Sequence, residues 1–121
     1  MALDLNILLV EDDFEIGKWL EKRILNLNNI KSLFWETTLH KATNAINLNN
    51  PDIIVLDLNL PDGNGIELLK TLKRKQNQTK VYIFSINSEL KKTCLRLGAD
   101  AFFDKTTDSE NLIASLSQLR A

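Results

Sequence analysis

The chain has almost nothing with which to cross-link itself or to build a soft-ligand metal centre. Its single cysteine, Cys94, has no partner for an internal disulfide, so the fold must rest on its core, and a reducing cytoplasm is the expected setting. Its single histidine, His40, has no second histidine or cysteine nearby, which argues for a surface residue and against an imidazole metal site. With two prolines and four glycines there is no linker or low-complexity stretch, and no repeat divides the chain. A net charge of −1 excludes a general attraction to nucleic acid or anionic lipid. No apolar run approaches the roughly 18 residues of a membrane span. The opening MALDLNILLV carries Asp4 and lacks the basic start of a secretory signal. Lys70, Lys73, Arg74 and Lys75 do gather, but at the end of a predicted helix, where cations complement the helix dipole.

What is present is an ordinary globular composition, 44% hydrophobic and 26% charged over 121 residues, enough for one domain spanning 1–121 with a sizeable core. Short apolar runs alternate with helical patterns. Leu5 to Val10 precedes Ile16, Leu20, Ile24 and Leu27; a weaker run, Leu33 to Trp35, precedes Leu39, Ala42 and Ile46. Ile53 to Leu56 precedes Ile66, Leu69 and Leu72, Val81 to Phe84 precedes Leu90, Cys94 and Leu97, and Ala101 to Phe103 precedes Leu112, Leu116 and Leu119. Each helical set is one buried stripe. The strand runs are continuously apolar, as in a parallel sheet covered on both faces. Gly98 is placed to cap the fourth helix, and Asp108 or Ser109 to open the fifth. Five β-α units predict a doubly wound α/β fold, which places binding sites at the carboxyl ends of the strands.

Those ends carry the chemistry. The first strand runs into Glu11-Asp12-Asp13, the third (within IIVLDLNLPDGNG) into Asp57, the fourth into Ser85, and the fifth through Asp104 into Lys105. Carboxylates brought this close repel, so one pKa should rise unless a cation joins them. A hard divalent cation such as Mg²⁺ binds through such oxygens, lysine supplies a mobile charge for phosphate, and a serine hydroxyl can donate to a phosphoryl oxygen. The residues therefore predict magnesium-assisted phosphoryl transfer with a carboxylate nucleophile.

The ordered set ILLVEDD, IIVLDLNLPDGNG, VYIFS and LGADAFFDK resembles the receiver domains of two-component response regulators over essentially the whole chain. The resemblance implies a flavodoxin-like sheet of order 2-1-3-4-5 and a signalling switch in place of a turnover enzyme. It implies that Asp57 is the phosphoacceptor. Asp12 would ligate Mg²⁺ (or Mn²⁺), with Glu11 acting through water and the Asn59 backbone carbonyl completing the site. Asp13 would lie at a helix start. Ser85 would be the switch hydroxyl, Lys105 the phosphoryl-holding lysine, and Phe102 an aromatic that turns inward when Ser85 moves. The donor would be a histidine kinase or a histidine phosphotransfer protein. The output would pass through the face of the fourth helix, fifth strand and fifth helix to a downstream protein, an effector domain or a second copy of the chain. Direct contact with nucleic acid or membrane is not implied.

Two positions depart from the family pattern. Ile86 stands where Ala or Gly is common, and is read either as restricting access to the acyl phosphate or as simple packing against a helix. Thr106 replaces the usual proline, so a trans Lys105–Thr106 bond is expected. Trp19 is read either as an exposed partner anchor or as partly packed, Cys94 as inert core, and Trp35 as lying on the second strand or its edge without a function. Two readings compete with the switch. An aspartyl-nucleophile hydrolase would need a lid or pocket for which little sequence remains. Retention of Glu11, Asp12, Asp57, Ser85 and Lys105 argues against a phosphate-insensitive interaction module, though Ile86 leaves that reading open. A stand-alone receiver and the regulatory part of a DNA-binding transcription factor both fit.

Overall fold

The computed structural model describes residues 4–75 and 78–120. Five strands, β1 (Leu5–Val10), β2 (Ile30–Glu36), β3 (Ile53–Leu56), β4 (Lys80–Ser85) and β5 (Ala101–Asp104), form one parallel sheet. Its order is β2-β1-β3-β4-β5, the doubly wound arrangement the alternating pattern predicts. The helices are α1 (Phe14–Leu25), α2 (Leu39–Asn49), α3 (Gly65–Arg74), α4 (Lys91–Arg96) and α5 (Ser109–Ser117).

Alternation along the central strands divides the core into two layers. Leu8, Val10, Ile54, Leu56 and Ile83 pack with Ile46 of α2, Leu69 of α3 and Cys94 of α4. Ile7, Leu9, Ile53, Val55 and Phe84 face the other way, onto Leu20 and Ile24 of α1 and Leu112 and Leu116 of α5. Because β1 and β3 are buried on both faces, every residue of β3 is apolar, and polar residues can enter only at the strand ends. The chain reverses direction across the sheet between β1 and β3, which opens a crevice beyond their carboxyl ends.

Local signals behave as their chemistry predicts. Asp13 caps α1 by accepting the Ile16 N–H at 3.0 Å. Gly98 follows α4 at φ +107°, a conformation open to glycine, and Ala99 N–H donates back to the Cys94 carbonyl. Asp108 precedes α5 but its carboxylate accepts the Asp104 N–H, tying the helix start to β5 in place of capping the helix. No cis peptide occurs among the described residues, so Lys105–Thr106 is trans, and Thr106 closes a turn by donating its N–H and hydroxyl to Asp104.

Three local features differ from the sequence expectation. β2 extends from Ile30 to Glu36, well beyond the short Leu33–Trp35 run; as an edge strand it is half-buried, so Lys31 and Ser32 interrupt its apolar pattern. The fourth helix is a single turn and a half preceded by a 3₁₀ turn at Ser88–Leu90. The turn after Asp57 contains a two-residue hairpin, Asn59–Leu60 against Gly63–Asn64. No helix among the described residues is long and apolar enough to cross a membrane.

Candidate phosphoacceptor and cation site

The crevice gathers the polar strand ends. Glu11, Asp12 and Asp57 each present one carboxylate oxygen within 4.8 Å of the others, an all-oxygen donor set suited to a hard divalent cation. Glu11 and Asp57 are buried, and Asp12 is exposed. Lys105 reaches across from the end of β5 and places Nζ 2.8 Å from Glu11 Oε1 and 3.1 Å from Asp57 Oδ2. Its ammonium lies over the Phe84 ring, 5.8 Å from the centroid.

The electrostatics follow from this packing. Burial pushes the Glu11 carboxyl up to about 7; the bond from Lys105 opposes the rise and the Asp57 charge adds to it. Burial works against the Lys105 ammonium too, but the Glu11 and Asp57 carboxylates outweigh it and hold its pKa above the ordinary lysine value. The cluster thus holds two buried carboxylates and one cation, an excess of negative charge that a divalent ion would neutralise.

The loops around the crevice are tied by short hydrogen-bonded turns. Asn59 N–H donates to Asp57 Oδ1 at 3.2 Å, and Asn87 N–H donates to Ser85 Oγ at 3.0 Å. The two asparagines then join each other, Asn59 Nδ2 to Asn87 Oδ1 at 3.2 Å, linking the loop after β3 to the loop after β4. Ser85 is fully buried, and its carbonyl accepts the Lys105 N–H. Asp62 accepts the N–H groups of Leu39 and His40 at the start of α2, and those bonds hold its carboxyl below the usual carboxylate range. Gly65 lets α3 begin against the Asp57 backbone: a Cβ there would stand 2.5 Å from the Asp57 carbonyl oxygen.

The remaining residues singled out in the sequence fall around this centre. Ile86 is 60% exposed and directly follows Ser85 at the end of β4. Trp19 is 37% exposed, covers the Arg23 guanidinium at 5.0 Å, and lines a cleft of about 270 Å³ with Ile16, Phe84, Lys105 and Ser109. Arg23 in turn forms a bidentate pair with Glu110, joining α1 to α5. Phe102 is buried, packed in the layer that includes Cys94. Cys94 is core and His40 is exposed.

One contributor escaped the sequence reading. Trp35 donates its indole N–H to the Glu11 carbonyl at 2.9 Å, stacks against Phe14, and occupies the space that Gly17 leaves open. The available signal was Gly17 itself, because a glycine inside a helix costs about 1 kcal/mol relative to alanine and calls for a packing reason.

Comparison with known proteins agrees with this geometry. The sequence model of the response regulator receiver domain matches residues 7–117. Response regulator ArlR of Staphylococcus haemolyticus is 34% identical over 115 residues, covering 92% of this chain and 50% of that protein. The nitrate/nitrite response regulator protein NarL of Escherichia coli K12 is 36% identical over 74 residues, covering 60% of this chain and 34% of that protein. The chain therefore spans half or less of the length of these curated relatives. Among solved structures, the receiver domain of the Francisella response regulator 1452 aligns with a TM-score of 0.84 at 30% identity, covering 93% of each chain. The non-phosphorylated HemR receiver domain of Leptospira biflexa aligns at 0.84 and 28%, covering 98% of each. With the match running from β1 through α5 and an acidic crevice at the ends of β1 and β3, this chain belongs to the receiver domain family of two-component response regulators.

Proposed function

We propose that the chain is a phosphorylation switch in which Asp57 accepts a phosphoryl group from a histidine kinase or a histidine phosphotransfer protein. The observation that carries this reading is Lys105 Nζ, held 2.8 Å from Glu11 and 3.1 Å from Asp57 in a buried acidic crevice. An Asp57 carboxylate oxygen forms the new O–P bond as the N–P bond of the donor phosphohistidine breaks, and the electron pair returns to the imidazole. Glu11, Asp12, Asp57 and the Asn59 carbonyl would hold Mg²⁺ or Mn²⁺, which when bound neutralises charge on the phosphoryl oxygens. Lys105 moves from pairing two carboxylates to pairing one carboxylate and a phosphoryl oxygen, so its ammonium is already in place before the donor arrives. Ser85 Oγ accepts the Asn87 N–H, a bond that does not use its own O–H, so the hydroxyl can donate to the phosphoryl group while that turn stays in place.

The product adds charge and acceptor oxygens at the sheet edge. Since Phe102 is buried at the outset, the change reaches the face of α4, β5 and α5 by repacking around that ring. The downstream partner would read that face, as an effector domain, a separate protein or a second receiver. Relatives whose names mark them as transcriptional or DNA-binding regulators, matched by this chain over about half of their length, support the regulatory part of a transcription factor as the context. Trp19 and its cleft beside Lys105 suit a docking donor, because an exposed aromatic stands next to the reacting centre. A cytoplasmic location accords with the free thiol of Cys94.

Labelling by acetyl phosphate tests the reading. Wild type should form an acid-stable, base-labile acyl phosphate only with Mg²⁺, and Asp57→Asn should form none. No labelling of wild type by a small donor or by phosphohistidine would favour a phosphate-insensitive interaction module. Continuous turnover of a metabolite phosphate would favour an enzyme.

A further inference from the structure

We infer that Trp35 is a positioning residue for the cation site, holding the Glu11–Asp12 turn in the geometry that binds a divalent ion. The inference rests on the reading of the acidic cluster as a cation site and goes beyond it, because Trp35 touches neither the ion nor the phosphoryl group.

Both backbone groups of Glu11 are bound by the last two residues of β2. Its N–H donates to the Glu36 carbonyl at 3.0 Å, and its carbonyl accepts the Trp35 indole N–H at 2.9 Å. That carbonyl belongs to the peptide joining Glu11 to Asp12. Because the peptide is planar, holding its oxygen fixes the directions in which the two side chains leave the turn. Asp12 needs this help: it is exposed, whereas Glu11 is buried and also accepts the Asp13 N–H at 3.1 Å.

The indole can act as a fixed arm because α1 clamps it. Trp35 pairs with Leu9 across the sheet, so its side chain reaches forward past the strand end to the turn. Phe14 stacks against it with ring centroids 5.9 Å apart. On α1, one turn on, Gly17 presents no Cβ; a methyl there would overlap the six-membered part of the indole and stand 2.6 Å from Cη2. A donor locked in this way loses little entropy when it forms its bond, so its removal should be felt at the turn it holds.

The test uses Mn²⁺ as the probe, with the free ion followed by electron paramagnetic resonance at a pH where Glu11 is ionised. Trp35→Phe keeps an aromatic ring in the slot and removes the donor. It should bind Mn²⁺ about three- to tenfold more weakly, the span expected from one hydrogen bond. The Mg²⁺ concentration giving half-maximal labelling by acetyl phosphate should rise by the same factor, with the rate at saturating Mg²⁺ unchanged. Ile46→Val, a buried deletion on α2 of comparable expected cost, should bind Mn²⁺ as wild type does. A tryptophan analogue at position 35 with sulfur in place of the indole N–H removes only the donor and should reproduce the loss, which keeps the test decisive should Trp35→Phe fold poorly. Equal Mn²⁺ affinity in wild type and the sulfur analogue overturns the inference, as does equal weakening in Ile46→Val. Absence of Mn²⁺ binding by wild type overturns the cation site itself, and the inference with it.

Discussion

Replacing Gly17 with alanine sets two opposed effects against each other, and the structure decides between them. In an exposed helix interior the change would stabilise by about 1 kcal/mol through helix propensity. Here the added methyl meets an aromatic ring and not the loose end of a flexible chain. Overpacking of this kind costs about 1–3 kcal/mol. The ring cannot retreat without lengthening the 2.9 Å bond from Trp35 to the Glu11 carbonyl, which adds about 0.5–1.5 kcal/mol. The balance is a loss of about 1–3 kcal/mol. For a domain of this size that corresponds to a fall in Tm of roughly 4 °C per kcal/mol. Urea unfolding followed by circular dichroism, with a thermal scan beside it, measures the quantity directly. Unchanged stability, or a gain near the helix-propensity value, would refute the clamp that α1 is said to place on Trp35.

Other expectations concern the chemistry of the site. Ile86→Ala should shorten the lifetime of the acyl phosphate, because the 60%-exposed branched side chain beside the crevice limits approach of water; equal decay rates in the two proteins would dismiss that role. Glu11, whose pKa burial raises to about 7, carries a proton below that value which an incoming cation must displace. Apparent Mg²⁺ affinity should therefore fall by up to about tenfold per pH unit below 7 and level off above about 8; a flat profile across this range would contradict it. The sign for folding is the reverse: a carboxyl with a raised folded-state pKa opposes folding once ionised, so the metal-free domain should lose stability as pH rises from 4.5 to about 7. Trp19→Ala should leave the fold and labelling by acetyl phosphate intact while slowing transfer from the cognate phosphohistidine donor; unaltered transfer would remove Trp19 from the docking surface.

Much of this protein is legible along the chain because the signals are local. The covered parallel sheet shows in the apolar runs Ile7 to Val10 of β1, Ile53 to Leu56 of β3 and Val81 to Phe84 of β4, since a strand buried on both faces admits no alternation. The polar strand ends follow from the same logic, and Asp13 and Gly98 mark helix ends through chemistry confined to a few neighbouring residues. The bounds of β2 are less legible, because an edge strand is only half-buried and mixes Lys31 and Ser32 with its apolar residues.

By itself the sequence determined the fold class, the edge of the sheet that carries chemistry, and the residue types assembled there, because burial periodicity and capping depend on near neighbours. Tertiary structure alone decided how those residues meet. It placed Lys105 between Glu11 and Asp57, buried Phe102 at the outset, left Ile86 open, joined Asn59 to Asn87, and set the indole of Trp35 against Gly17 beneath the acidic turn. Each of these contacts joins separate strands, helices or loops, and the distance between them exists only once the sheet has been ordered.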